Sequence, residues 1–275
     1  MKSFLINPSL GNGFFKTSLP AVCHLHANFS SHCSAQFRYQ LCLENGNCTS
    51  NSTYNANLNN LLSSLSSNTQ IDYGFYNVSY GQNPDKVYAI GLCRGDVKPD
   101  ICRSCLNNAT SLLPLVCPNM KDAIGGYDEC MLRYSFRNIF GINDEDTPPI
   151  YMWNLNNVSA NVVDEFKQNV TTLLDSQRGR AAAGGSLRKF AAGNITAINS
   201  QTVYALVQCT PDLSQQDCSD CLAGAIGDFP LCCDGRQGGR VIRPSCNFRF
   251  ESSLFYDNTA DNSPPPPSTN TSSKA

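Results

Sequence analysis

Apolar side chains between residues 54 and 65 recur at the spacing of an amphipathic helix. The residues of this stripe follow the i, i+3, i+4, i+7 pattern of a helix: Tyr54, Leu58, Leu61, Leu62 and Leu65. That interval places them on one helical face, and the polar Asn51-Ser52-Thr53 directly before them is typical of a helix start. A similar stripe predicts another helix and consists of Val162, Phe166, Val170, Leu173 and Leu174.

Shorter apolar runs, rich in β-branched and aromatic residues, predict strands. These runs cover residues 74–80, 87–93, 127–136, 203–209 and 241–250. A further helix is expected from Asp100, as its cap, to Leu113, with Pro114 ending it. Ser214 is expected to start a helix before Cys218. Helices and strands in this order, with short connections, favour an α+β fold with antiparallel sheets.

Five cysteines of the chain are repeated at a constant distance. Cys93, Cys102, Cys105, Cys117 and Cys130 recur 116 positions later as Cys209, Cys218, Cys221, Cys233 and Cys246. A constant offset through five positions indicates two similar domains in tandem, each held by disulfides. The 275 residues leave room for two domains of ordinary size.

Composition favours an extracellular protein. The 15 cysteines suit an oxidising compartment rather than the reducing cytosol. Sequons for N-glycosylation agree, and the candidate acceptors are Asn51, Asn77, Asn108, Asn157, Asn169 and Asn194. A net charge of −2 without a dense basic patch argues against a nucleic-acid partner. The opening residues lack the apolar core of a secretory signal, so either the natural start is missing or mis-assigned, which is favoured, or export is unconventional. No stretch is apolar enough for a membrane helix.

The motifs around the repeated cysteines resemble those of a plant family. The matching stretches include Leu92-Cys93-Arg94-Gly95-Asp96, Cys130-Met131-Leu132-Arg133-Tyr134 and, in the second repeat, Pro244-Ser245-Cys246-Asn247. They are similar to the ginkbilobin-homologous domain, also called the cysteine-rich secretory repeat or stress-antifungal domain. The resemblance implies two tandem disulfide-bonded α+β domains, each with an antiparallel sheet of about five strands packed against two helices.

Domain boundaries follow from this likeness and from composition. We expect an irregular N-terminal extension over 1–38, domains over 39–143 and 151–257, a linker over 144–150 and a disordered Pro/Ser-rich tail over 258–275. Two copies followed by a Pro-rich stalk are similar to the outer half of a cysteine-rich receptor-like kinase.

The resemblance also implies which cysteines pair. In the first repeat the pairs are Cys93–Cys102, Cys105–Cys130 and Cys42–Cys117, and the disulfide-bonded cysteines of the second repeat are Cys209, Cys218, Cys221 and Cys246. The predicted helices differ by an offset of 112, which aligns Asn154 with Cys42 and leaves Cys233 without its partner. Cys232 and Cys233 then form a vicinal disulfide, remain thiols or pair elsewhere. Cys23, Cys33 and Cys48 also have no assigned partner.

Two other uses of the cysteines fit the repeated pattern less well. A zinc site built from Cys102, Cys105, Cys117 and Cys130 would leave the repeated Cys93 without a purpose. A thioredoxin-like pair would need a βαβ context, which the predicted order does not provide. His24, His26 and His32 all lie in the N-terminal segment, where a loose extension is favoured over a metal site. We therefore expect no metal, no cofactor and no enzymatic activity.

The resemblance supplies a candidate sugar site. The mannose-binding member of the family uses an Asn after its first cysteine, an Arg six before its last and a Glu five after it. The first repeat has Leu43, Ile124 and Ser135 at these positions and should not bind mannose in this way. The second repeat keeps Arg240 and Glu251, predicted at opposite ends of one strand. Its Asn position aligns with Leu155, so both flanking residues, Asn154 and Asn156, are candidates.

These expectations lead to a non-enzymatic recognition protein of plant defence or stress signalling, in the wall space or at the cell surface. Its partner would be a cell-wall or microbial carbohydrate, bound by the second domain. One alternative is the ectodomain of a cysteine-rich receptor-like kinase that binds a protein partner, and another is a thiol-based redox sensor. A surface ion pair between Arg240 and Glu251 is the alternative to the sugar site.

Overall fold

The computed structural model describes residues 4–6, 36–67, 73–196 and 201–258. Besides β1 (Phe4–Ile6), the first part contains β2 (Tyr39–Asn47), α1 (Thr53–Ser67), β3 (Phe75–Tyr80), β4 (Val87–Cys93), α2 (Pro99–Val116), β5 (Met120–Gly126) and β6 (Cys130–Ser135). The second part contains β7 (Ile150–Asn154), α3 (Val163–Ala182), β8 (Lys189–Thr196), β9 (Thr202–Cys209), α4 (Gln215–Gly227), the one-turn α5 (Phe229–Cys232), β10 (Gly238–Ile242) and β11 (Cys246–Glu251).

The two repeats have the same sheet topology. Strands of the first sheet follow the order β2-β5-β6-β4-β3, and those of the second follow β7-β10-β11-β9-β8. All neighbouring strands are antiparallel. The expected α+β fold, with five strands and two long helices in each repeat, is therefore confirmed.

Strand β1 was not expected. It belongs to the N-terminal segment that the sequence predicted to be irregular, and it pairs with the outer edge of β7. The second sheet consequently has six strands. The predicted roles of Cys23, Cys33 and the three histidines lie outside the described residues.

Several predicted boundaries were wrong. The predicted strands 127–136 and 241–250 each contain a turn, so each repeat ends in a hairpin, β5–β6 or β10–β11. Pro244, which cannot donate to a ladder, lies in the second turn. Pro114 does not end α2, and the helix continues to Val116, with Cys117 N donating to Leu113 O. A proline removes only one backbone hydrogen bond, which this helix tolerates. Lys98, not Asp100, is the N-cap residue of α2.

The start of α4 agrees with its sequence signal. Ser214 is the N-cap residue, and its hydroxyl accepts a hydrogen bond from Asp217 N at 3.0 Å. This satisfies one of the backbone donors that a helix start leaves open.

One face of each sheet packs against the helices of its own repeat. In the first repeat, the apolar stripe of α1 joins Cys105 and Leu113 of α2 over Ala89 and Leu132. The equivalent core of the second repeat contains Phe166 and Leu174 of α3, with Phe248 and Phe250 from β11. The α1 stripe and Phe166 and Leu174 of α3 were predicted by the 3.6-residue period, whereas Val162, also predicted for this stripe, precedes α3 and lies outside the core.

The opposite faces of the two sheets pack against each other. Ile150, Met152 and Ile242 of the second sheet share a core with Leu41 and Ile124 of the first sheet and their neighbours. A hydrogen bond also crosses the interface, because Gln208 Nε2 donates to Cys93 O at 2.8 Å. The two repeats therefore form a four-layer body of helices, sheet, sheet and helices.

Candidate recognition site at the interface between the repeats

Disulfides hold the elements on which the candidate site is built. The first repeat has the bridges Cys42–Cys117, Cys93–Cys102 and Cys105–Cys130, and the second has Cys209–Cys218 and Cys221–Cys246. The three bridges of the first repeat are the pairs that the resemblance implied, and the four bonded cysteines of the second repeat are those expected to form disulfides. Because all four proposed zinc ligands are in bridges, that alternative is excluded. Among the described residues no other group of side chains suits a metal ion.

Cys232 and Cys233 form a vicinal disulfide, the first of the three alternatives considered for them. Both residues are buried. Cys48 is also buried, and it is the only free cysteine among the described residues.

The register of the sheets corrects the alignment of Asn154 with Cys42. Cys42 lies opposite Ala123, and the equivalent of Ala123 in the second repeat, Gly239, lies opposite Trp153. Trp153 therefore takes the place of Cys42, one residue earlier than the helix offset indicated. The connection between strand and helix differs in length between the repeats, so an offset taken from the helices does not hold for β7.

This register also decides between the two candidate asparagines. Asn154 now follows the position of the first cysteine, which is the Asn position of the sugar motif. Asn154 Nδ2 donates to Glu251 Oε2 at 3.4 Å, and Asn154 Oδ1 accepts a hydrogen bond from Asn156 N at 3.0 Å. Asn156 thus supports the Asn154 side chain through its backbone.

Arg240 and Glu251 lie on neighbouring strands, β10 and β11, and not at the ends of one strand as predicted. Paired residues of antiparallel strands, and residues two apart on one strand, point to the same face. By this rule Asn154, Arg240 and Glu251 share one face of the second sheet. It is the face that packs against the first repeat.

The first repeat covers Arg240. Only 8% of Arg240 is exposed; its guanidinium lies 5.4 Å from the ring centre of Tyr39, and its Nη1 is 3.6 Å from Asp128 Oδ1. Burial lowers the pKa of Arg240, and the opposing effects of Tyr39 and Asp128 offset this only in part. The alternative of a surface ion pair between Arg240 and Glu251 is wrong, because both residues are buried.

Asp128 is the centre of this charged cluster. Its carboxylate lies 3.3 Å from Arg38, and 3.6 and 3.7 Å from Arg240 and Arg249 of the second repeat. Burial alone would raise the pKa of Asp128, but the surrounding arginines outweigh it and hold the pKa below its usual value. Arg249 in turn contacts Glu251 at 3.2 Å. Neither Asp128 nor Tyr39 was expected here, since their role depends on contacts between the repeats that no spacing within one repeat reveals.

A polar concavity lies between residues 133 and 146. It has a volume of about 260 Å³, and its lining includes Arg133, Arg137 and Asp144. Arg133 is buried and forms an ion pair with Asp144. Burial would raise the pKa of Asp144, but the charge and hydrogen bond of Arg133 lower it overall.

The candidate glycosylation sites are mostly accessible. Asn51, Asn77, Asn108, Asn157 and Asn194 are exposed, and Asn169 is half-buried. None of the helices in the described part of the chain is long and apolar enough to span a membrane.

Comparison with known proteins gives a consistent result. The profile of the salt stress response/antifungal family matches residues 41–137 and 154–253. Cysteine-rich receptor-like protein kinase 29 of Arabidopsis thaliana is 47% identical over 228 residues, which are 82% of this chain and 33% of the kinase. Kinase 28 of the same series is 46% identical, with 81% of this chain and 32% of the kinase covered. The chain thus spans about a third of the length of these relatives.

Two solved structures share the fold. The tandem DUF26 ectodomain of the Arabidopsis cysteine-rich receptor-like protein PDLP5 matches with a TM-score of 0.61 and 26% identity, covering 78% of this chain and 98% of that one. The ectodomain of PDLP8 matches with a TM-score of 0.64 and 22% identity, covering 80% and 100%.

Proposed function

The chain belongs to the salt stress response/antifungal family, and from this we propose that it is the extracellular recognition region of a cysteine-rich receptor-like protein in plant defence or stress signalling. The observation that carries the proposal is the packing of the two repeats, sheet against sheet, around a shared core. A ligand that binds either repeat therefore contacts one body. A movement of this body is transmitted to any segment attached to it. The matched relatives are kinases by name, and the matched region is their non-catalytic part.

A chimera tests this role. This chain replaces the matching region of Arabidopsis cysteine-rich receptor-like protein kinase 29, and autophosphorylation in plant cells is compared with that of the native kinase. The proposal expects a chimera that reaches the cell surface and responds to stimuli that activate the native kinase. A chimera that reaches the surface but responds to none of them contradicts it.

Carbohydrate recognition by the second repeat is the second candidate function. Asn154, Arg240 and Glu251 occupy the three motif positions on one sheet face, and Asn154 already contacts Glu251. An arginine that donates and a carboxylate that accepts suit neighbouring sugar hydroxyls. Since Asp128 and Tyr39 cover Arg240, sugar binding requires the repeats to separate at this corner. The apparent affinity is then the intrinsic affinity multiplied by the fraction of molecules in which this corner is open.

The test is titration of the oxidised protein with mannose and manno-oligosaccharides. Saturable binding should be lost in Arg240→Ala and kept in Arg236→Ala, a matched arginine of the same repeat that pairs with Asn157 instead. Asp128→Asn should increase the apparent affinity, because it removes the carboxylate that holds the closed state. Absence of binding in both the native protein and Asp128→Asn, up to millimolar sugar, rejects this candidate and leaves protein partners.

A further inference from the structure

Each sheet ends in a strand that has a partner on one side only. The outer edge of β7 is covered by β1, and β2 has an irregular register between Leu43 and Asn47. Irregular pairing of this kind discourages edge-to-edge association. Strand β1 is then itself an edge, but it has only three residues, and β3 and β8 are the two longer edges that remain among the described residues.

Of these two strands, β3 has the composition that more strongly favours pairing with another chain. Its sequence, Phe-Tyr-Asn-Val-Ser-Tyr, contains no charge, no proline and no glycine. Six-residue segments of this kind, with high β-propensity, are typical of aggregation-prone strands. An exposed edge of such composition invites pairing with another chain.

The hydrogen bonds of the ladder show which backbone groups face outward. Cys93 N donates to Gly74 O at 2.7 Å, so Gly74 points toward β4. Groups alternate along an antiparallel strand, and those of Phe75, Asn77 and Ser79 therefore point to the open edge. Asn77 is the middle residue of these three.

Each of these two longer edges carries a glycosylation sequon on an exposed residue. Asn77-Val78-Ser79 lies in β3, and Asn194-Ile195-Thr196 ends β8. On β8, the same alternation points Ala192 and Asn194 to the outer edge, and Arg180 Nη1 donates to Ala192 O at 3.1 Å, which covers the edge just before Asn194. The sequon thus lies where this cover ends.

We propose that N-linked glycans on Asn77 and Asn194 shield these two edges and prevent the sheets from pairing with other chains. The inference depends on the proposed function only in that the chain enters the secretory pathway. There the asparagine Nδ2 forms a bond to the anomeric carbon of a lipid-diphosphate-linked oligosaccharide. The bond from that carbon to the diphosphate breaks, the lipid diphosphate leaves, and the amide nitrogen loses one proton.

The experiment compares variants secreted from a eukaryotic host. Glycan occupancy is measured by mass spectrometry of peptides, and self-association by light scattering after size exclusion over a hundredfold range of concentration. Asn77→Gln with Asn194→Gln should self-associate at concentrations where the native protein does not. Ser79→Ala, which removes the first sequon but keeps Asn77, should resemble Asn77→Gln.

Two further variants separate shielding from a general effect of glycans. Asn108→Gln removes an exposed sequon on helix α2 and should leave association unchanged. Asn77→Lys replaces the glycan by a charge on the same edge and should remain dispersed, since edge lysines have the same protective effect.

The proposal is overturned if Asn77 and Asn194 carry no glycan while Asn108 does, or if the double variant behaves like Asn108→Gln. A glycan on Asn108 shows that the chain has passed through the secretory pathway in either case. Recognition is measured separately, by the chimera and the sugar titration, so its failure would not affect this result.

Discussion

Asp128 of the first repeat lies 3.6 Å from Arg240 of the second repeat, inside the interface between the two sheets. Arg240 keeps 10% of its side chain exposed and Asp128 keeps 24%, so water screens this pair only weakly. The same carboxylate is shared with Arg249 and Arg38. Asp128 thus contacts three arginines, of which Arg249 also pairs with Glu251, and it links the repeats at the candidate recognition site.

Replacing Asp128 by Asn should weaken the interface. The change keeps the shape of the side chain and removes the carboxylate from buried Arg240, while Arg249 keeps its contact with Glu251. The loss of unfolding free energy should stay below the roughly 3–5 kcal/mol of a fully buried pair, since Asp128 is partly exposed. Urea denaturation measures it. Asp175→Asn, which removes an exposed pair with Arg178, is the matched control and should cost less than about 1 kcal/mol. Equal effects of the two variants would contradict the role of Asp128.

The stability of the protein should fall in acid, and Asp128 should account for part of the fall. Its pKa is lower in the folded state than in the unfolded state, where it is near 3.9. Its contribution is therefore present above about pH 4 and is lost as the pH falls through the lower, folded value. Asp144 acts in the same direction, because its pKa is also lowered. Burial raises the pKa of Asp122, so this group acts in the opposite direction.

Measurement of the unfolding free energy between pH 6 and pH 2 tests the contribution of Asp128 to the loss of stability in acid. The native protein should lose stability below pH 4, and Asp128→Asn should lose less over the same range because it has no carboxyl to protonate. Parallel curves for the two proteins would show that Asp128 does not contribute to the pH dependence.

The sequence predicted what lies within one repeat. Helical stripes such as Leu58 to Leu65 and the repeated cysteines depend on spacing along the chain, and spacing determines which residues share a face. It did not predict the hairpin turn at Pro244, which depends on pairing between strands, or the continuation of α2 past Pro114, where the helix tolerates the loss of the one hydrogen bond that proline removes.

The candidate site was predicted only in part. Arg240 and Glu251 were identified by their distance from Cys246, but their neighbours were not. Asp128 and Tyr39 reach Arg240 from the other repeat, and no pattern within a repeat encodes that contact. The helix offset aligned Asn154 with Cys42, one residue too far along the chain. Trp153 takes that position, because strand register and not helix spacing determines it.

The length of the loop that a disulfide closes should determine its contribution to stability. Cys42–Cys117 spans 75 positions and Cys93–Cys102 spans 9. The chain-entropy model gives the longer loop about 4 kcal/mol and the shorter one about 2 kcal/mol less. The double alanine variants of these two pairs, compared by urea denaturation, should differ accordingly. Equal losses would show that native packing, and not chain entropy, dominates in this domain.

The vicinal disulfide Cys232–Cys233 of the second repeat lies where the first repeat has the bridge Cys42–Cys117, which joins residues far apart in the sequence. Cys233 corresponds to Cys117, Trp153 to Cys42 and Cys232 to Val116, as the constant offset and the strand register indicate. The sulfurs of Cys232 and Cys233 lie 3.5 and 4.0 Å from Met152 O, directly beside Trp153. A cysteine at position 153 would therefore meet Cys233.

Trp153→Cys combined with Cys232→Val should form a disulfide between residues 153 and 233. In the first repeat the equivalent Cα atoms are 5.3 Å apart, which is within the usual range for disulfides. Peptide mapping without reduction identifies the bridge, and a thiol count checks it. Cys232→Val alone is the control and should add one free thiol, at Cys233. If the double variant instead has two more free thiols than the native protein, Trp153 does not stand in the place of Cys42. Loss of the Trp153 side chain costs packing energy, so the bridge itself, rather than the melting temperature, decides the outcome.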